Sequence, residues 1–183
     1  MNRFFLSLAA LTFLTQTAWA LDLTPIPEFR ELEGMKIPII AFSDGAKKIN
    51  YQPPALWRST GTATTLSLYP PQLPGAVVEL RVRPRKPGVL ENSEEWSRTL
   101  LPQDAKDPVC AGKIESPFTL GTLPSQEYTF SYAAQGRRFV SSIAVVDLNE
   151  RERLGVVITA LSKDFKVTRE EAIRSMFSWN WRD

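Results

Sequence analysis

Apolar residues fill positions 154–161 on both parities, Leu154, Val156, Ile158 and Ala160 alternating with Val157, Thr159 and Leu161 around Gly155. A strand with one wet side would leave one parity polar, so this run predicts a strand covered on both faces. A helix is expected directly after it. Thr168 and Glu171 have the spacing of a capping box, Val167 precedes them as an apolar staple, and Ala172, Ile173, Met176 and Phe177 recur at helical spacing. Arg169, Glu170 and Arg174 are left for the wet side. Strict alternation appears at 76–83, where Val78, Leu80 and Val82 oppose Glu79, Arg81 and Arg83. It appears again at 127–133 with Tyr128, Phe130 and Tyr132 on one side, and the chain turns at Ala134-Gln135-Gly136 to return as a strand over 138–148.

The earlier chain is punctuated by proline. Residues 36–42 and 47–51 read as a hairpin about Ser43-Asp44-Gly45, ended by Pro53-Pro54. A strand is expected at 62–69, closed by Pro70-Pro71, and Pro27 is expected to open a short helical turn through Leu32 that stops at Gly34. Asn92 and Glu95 cap a short helix carrying Trp96 and Leu100 and ended by Pro102. Residues 103–124 have no period and read as an irregular connection, or one hiding a strand at 113–119. Six or seven strands joined by tight turns favour antiparallel pairing, and the expected class is α+β, with helices on the faces of a largely antiparallel sheet.

Composition changes the picture in three ways. Residues 1–20 have the order of a secretory signal: a basic start at Arg3, an apolar core over 4–14, and Ala18-Trp19-Ala20 before the expected cleavage. The remainder, 21–183, is expected to be one domain, exported and soluble in a periplasm or outside the cell, with no lipidated N-terminal cysteine and no further anchor. The single cysteine, Cys110, cannot form an internal disulfide, so stability rests on the hydrophobic core. The near balance of 22 basic and 20 acidic residues argues against a nucleic-acid partner, and the absence of histidine excludes Ser-His-Asp and Cys-His nucleophile activation and His-ligated zinc.

Tyr51-Gln52-Pro53-Pro54-Ala55-Leu56-Trp57 resembles the Tyr-x-x-Pro-x-x-Trp motif of PsbP-like domains, named after the extrinsic subunit of the photosystem II oxygen-evolving complex. The later elements agree in order, ending in a helix with the aromatic finish Phe177-Ser178-Trp179. The resemblance implies an αβα sandwich with a C-terminal helix packed on the sheet, and members that dock on membrane complexes. It brings no catalytic motif.

Arg81, Arg83, Arg85 and Lys86 are the densest basic cluster, read either as a solvated strand face or as a contact for an anionic partner, a phosphate or a lipid surface. Arg137 and Arg138 beside a turn allow the same two readings. Cys110 reads as a small buried filler, because no base flanks it closely enough to stabilise a thiolate. Asp104, Asp107 and Glu115 match no calcium-loop spacing, and Ser141, Ser142 and Ser162 with Lys163 match no Ser-Lys spacing. No catalytic, cofactor-binding or metal-ligating residue is assigned, and no cofactor is expected. Trp181 lies past the helical stripe and is either folded onto the sheet or presented to a partner. These features point to a non-enzymatic exported domain that binds an envelope protein or complex. The alternatives are a small-ligand binder with a pocket between sheet and helices beside 103–124, and a hydrolase built on two carboxylates.

Overall fold

The structure, a computed structural model, describes residues 21–45, 47–85 and 92–182. The expected signal at 1–20 lies outside them. Strands β1 (Leu21–Leu32), β2 (Met35–Asp44) and β3 (Lys47–Tyr51) join β11 (Asn180–Arg182) in a four-stranded sheet of order β1-β2-β3-β11. The larger sheet has seven strands: β4 (Arg58–Thr62), β5 (Thr65–Tyr69), β6 (Val77–Pro84), β7 (Lys106–Leu120), β8 (Leu123–Ala134), β9 (Arg137–Asp147) and β10 (Glu152–Leu161). Their order is β4-β5-β6-β10-β9-β8-β7, and every pairing in both sheets is antiparallel. Helix α1 (Ser93–Arg98) follows β6, and α2 (Phe165–Met176) follows β10.

The continuous apolar run is the centre of the larger sheet. Flanked by β6 and β9, β10 is buried from Glu152 to Ala160. Leu154, Val156 and Ile158 pack with Val78, Leu80 and Val82 of β6, with Leu21, Phe42, Ile49 and Tyr51 of the smaller sheet, and with Ala172, Ile173 and Met176 of α2. The opposite face carries Val157 with Ile143, Tyr128 and Phe130, capped by Leu100 and Trp96 around α1. Gly155 is required on this face, because a Cβ there would stand 2.3 Å from Leu100 Cδ1 and 3.2 Å from Trp96 Cη2. Arg153 is 3 % exposed, bonded to Asp147 at 2.6 Å and stacked 5.3 Å over the Trp96 ring.

The single six- or seven-stranded sheet expected from the pattern is corrected to eleven described strands in two sheets. The helix–sheet–helix layering is corrected on one side, where the four-stranded sheet shares the face with α2. The expected helical turn at 27–32 is strand β1, paired with β2 from Ile26 to Leu32. Pro27 is tolerated because β1 is an edge strand of its sheet. The irregular segment is the fifteen-residue strand β7 at the other sheet's edge, interrupted by register shifts at Lys106/Val109, Cys110/Lys113 and Glu115/Thr119. The first two shifts each add one residue and flip the side-chain parity, and the third adds two, which together erase the period-2 signal while twisting the edge away from intermolecular pairing.

Helix α2 starts earlier than the capping-box reading. Its N-cap is Asp164, and Thr168 lies inside the first turns, its hydroxyl donating to the Asp164 carbonyl at 3.0 Å. The phase shift buries Ala172, Ile173 and Met176 as expected but exposes Val167 and Phe177. Arg169 is not on the wet side. Its guanidinium donates to both oxygens of the fully buried Glu127 carboxylate, at 2.7 and 2.6 Å, and Ser142 donates a further bond to Glu127.

Candidate functional site

The outer half of the β1–β2 hairpin is not used by the core. From Phe29 to Lys36 the ribbon is exposed on both parities, with Phe29 at 69 %, Met35 at 60 % and Leu32 at 45 % exposure. The turn between Leu32 and Met35 is the two-residue pair Glu33-Gly34, both in left-handed conformation at φ 51° and 79°. That geometry belongs to the primed turns that match strand twist, and Gly34 accepts it without cost while Glu33 is strained. Lys48 on β3 reaches Glu28 on β1 at 2.6 Å across β2 and braces the base of this arm.

Two clefts adjoin the arm where α2 ends. The first, about 320 Å³, has Arg30 and Ile39 from the hairpin, Asn50 from β3, Phe177 and Trp179 from the end of α2, and Asn180 of β11. The second, about 460 Å³, lies between the Gln52–Trp57 loop and Glu171, Arg174 and Ser175 of α2. Gln52 and Ser178 line both. The Ser178 hydroxyl accepts the Gln52 N–H at 2.8 Å and donates to the Ser175 carbonyl at 2.6 Å, forming the ridge between the clefts. Below it, the Tyr51 hydroxyl pairs with Ser175 Oγ at 2.8 Å, and burial drives the Tyr51 phenol well above its ordinary value. Tyr51, Phe42 and Trp179 pack ring to ring, with centroids 5.4 to 6.4 Å apart, and give the clefts a stiff base.

The polar groups of the first cleft are unequally used. Asn50 is 8 % exposed, and its Nδ2 has no hydrogen-bond partner among the described residues. Arg30 forms no ion pair among them either.

The basic cluster does not converge. Arg81 donates to Glu79 at 2.5 Å and to the Leu100 carbonyl at 3.1 Å, Arg85 faces Asp147 at 3.5 Å, and Arg83 stands exposed. Lys86 lies outside the described residues. Trp181 sits opposite Ile49 in the β3–β11 ladder. Cys110 is half-buried against the Leu100, Tyr128 and Phe130 cluster. Ser141 is held between Tyr132 and Thr159, at 2.9 and 2.6 Å, while Ser142 is held by Glu127, so neither hydroxyl faces a lysine. Burial is also the main reason that the Tyr132 phenol lies above its ordinary value. The cleft beside the 103–124 segment, about 440 Å³, is edged by Ser93, Lys113, Ser125, Gln126 and Asp147 and is polar rather than apolar. No group of three or more metal-ligating side chains occurs among the described residues, and no described helix is long and apolar enough to cross a membrane.

Phe29, Leu32, Met35 and Asn50 are absent from the sites expected from sequence. The available signal was the two-residue spacing of Leu32 and Met35 about a Glu-Gly pair, which marks a hairpin when the glycine is read as a turn residue rather than a helix stop.

No family model matches the chain, and no curated protein matches it. Among solved structures, the chain is similar to the crystal structure of LpqN, described as involved in cell envelope biogenesis of Mycobacterium tuberculosis. The two share 13 % identity with a TM-score of 0.49, over 87 % of this chain and 91 % of that one.

Proposed function

We propose that this chain is an exported, non-enzymatic domain of the PsbP-like kind that binds an envelope protein through the β1–β2 arm. Export is supported by the signal-like order of residues 1–20, and the PsbP-like reading by the Tyr51 to Trp57 motif. One observation carries the binding role: Phe29, Leu32 and Met35 stand largely in water on a ribbon whose exposed half serves no core. Large apolar side chains grouped on a surface mark contacts with partners, and rigid aromatic anchors supply much of the binding energy at such contacts.

The test is capture from envelope extracts with the wild-type protein and with the double variant Phe29→Ser/Met35→Ser. Both side chains are exposed, so the variant is expected to keep the wild-type melting temperature while losing the captured partner. Repeated captures that return no partner, or a partner recovered equally by the variant, overturn the proposal.

A further inference from the structure

We infer that the cleft bounded by Arg30 and Asn50 is a binding site for a carboxylate. Among the described residues its lining carries one charged side chain, and that charge is positive. Arg30 has no ion pair among the described residues, and the nearest acidic residue along β1 on the same face, Glu28, is already engaged by Lys48 at 2.6 Å. Among the described residues no carboxylate lines the cleft. The same cleft is lined by a second unmet donor, the Asn50 amide, more than nine-tenths buried and without a partner for Nδ2 among the described residues. A buried donor left unpaired costs free energy that any acceptor reaching it recovers.

The donor set selects the ligand class. One guanidinium and one amide offer hydrogen bonds to two acceptor oxygens and neutralise a single negative charge, which is the requirement of a carboxylate. A dianionic phosphate gathers more than one cation, and among the described residues none beyond Arg30 lines this cleft. Ile39 and the 65 % exposed Phe177 provide apolar walls for the carbon skeleton that carries the carboxylate. A volume of about 320 Å³ admits either a small free acid or the acidic side chain of a peptide.

The experiment follows the Asn50 side-chain amide and the Trp179 indole N–H of the ¹⁵N-labelled protein by NMR during titration. The probes are glutarate, a capped pentapeptide with a central glutamate, and the same peptide with glutamine. A carboxylate probe is expected to give saturable shifts at both reporters, and the glutamine peptide none. Arg30→Gln, a change at an exposed side chain, is expected to weaken binding about tenfold or more, the effect of losing a charge-assisted hydrogen bond. Asn50→Leu should weaken it similarly, read by the Trp179 signal. Tighter binding of the glutamate peptide assigns the carboxylate to a protein segment, and tighter binding of glutarate assigns it to a small acid. The inference is overturned if no carboxylate probe gives a saturable shift, if the glutamine peptide binds equally, or if Arg30→Gln binds like the wild type. The readout is a defined probe, so a failed capture in the arm experiment leaves this test intact.

Discussion

Replacing Arg169 by leucine removes the only cation bonded to Glu127 among the described residues. The Glu127 side chain is 1 % exposed and that of Arg169 is 24 % exposed, so the pair joins α2 to β8 across the face shared with the smaller sheet. Two short bonds from the guanidinium and one from Ser142 hold the carboxylate. Hydrogen bonding to Glu127 also raises the Arg169 pKa, with burial opposing it, so the cation persists across the usable pH range. Removing one partner of a buried pair leaves an uncompensated charge, at a cost of about 3–5 kcal/mol, and the partial exposure of Arg169 argues for the lower end. For a domain of this size that corresponds to a fall in melting temperature of about 6–20 °C. The double variant Glu127→Leu/Arg169→Leu removes both charges and is expected to lose far less than Arg169→Leu alone, since replacing a whole buried pair by apolar groups is often close to neutral. Thermal and urea unfolding of the wild type, both single variants and the double variant measures the coupling. A loss below about 1 kcal/mol for Arg169→Leu, or a double variant whose loss equals the sum of the singles, would refute the reasoning, because desolvation would then not dominate the pair.

Gly155→Ala places a methyl group against Leu100 and Trp96, and overpacking of this kind costs about 1–3 kcal/mol, with Gly155→Val worse. Denaturant unfolding checks it, and a variant as stable as the wild type would show that α1 is free to move off the sheet. Asp44 supplies a pH prediction. Its carboxyl is raised above the ordinary 3.8 chiefly by burial and then by Glu152, with Lys47 opposing. A raised carboxyl favours the folded state while protonated, and that contribution is fully present below the unfolded pKa and is lost as pH rises through the folded one. Asp44→Asn should therefore melt above the wild type at pH 7, with the advantage fading towards pH 3. Differential scanning calorimetry at both values decides it, and an advantage that grows towards acid contradicts the assigned sign.

What was legible in the sequence follows from how many faces of each element are covered. The β10 run is readable because both its faces are buried, and β6, β8 and β9 are readable because the parity that carries Val78 or Tyr128 never slips. The β7 strand escapes the same test because its first two shifts each change parity before any alternation builds up, with Asp107 and Gly112 at φ 48° and 109°. The capping box at Thr168 has the right residues in the wrong place. The helix takes its first turn from Asp164, and Thr168 turns its hydroxyl back onto the Asp164 carbonyl instead of capping. Of the candidate site, only the motif at Tyr51 to Trp57 pointed to the right end of the molecule, since Arg30 and Asn50 line one cleft from strands on either side of β2, opposite Ile37 and Ala41, which no local pattern reports.

The residues that local rules misplaced are also those gathered around the clefts. Phe29 and Leu32 fall in the segment read as a helical turn from Pro27 and Gly34, and Phe177 was placed on the apolar stripe of the last helix because an apolar side chain at helical spacing was assumed to seek the interior. All three stand in water, although the core is closed by Leu21, Phe42, Tyr51 and Trp179 a few residues away. A free two-stranded ribbon is marginal in water, yet this arm continues strands whose inner halves are fixed in the core. The Glu33-Gly34 turn and the Lys48–Glu28 bridge hold its two ends. An apolar surface held in this way loses little conformational entropy when it is covered, so its binding energy is not spent on ordering. The carboxylate cleft at its root then adds direction: an apolar anchor on the arm fixes a partner's position, and a single charge between Arg30 and Asn50 fixes its orientation.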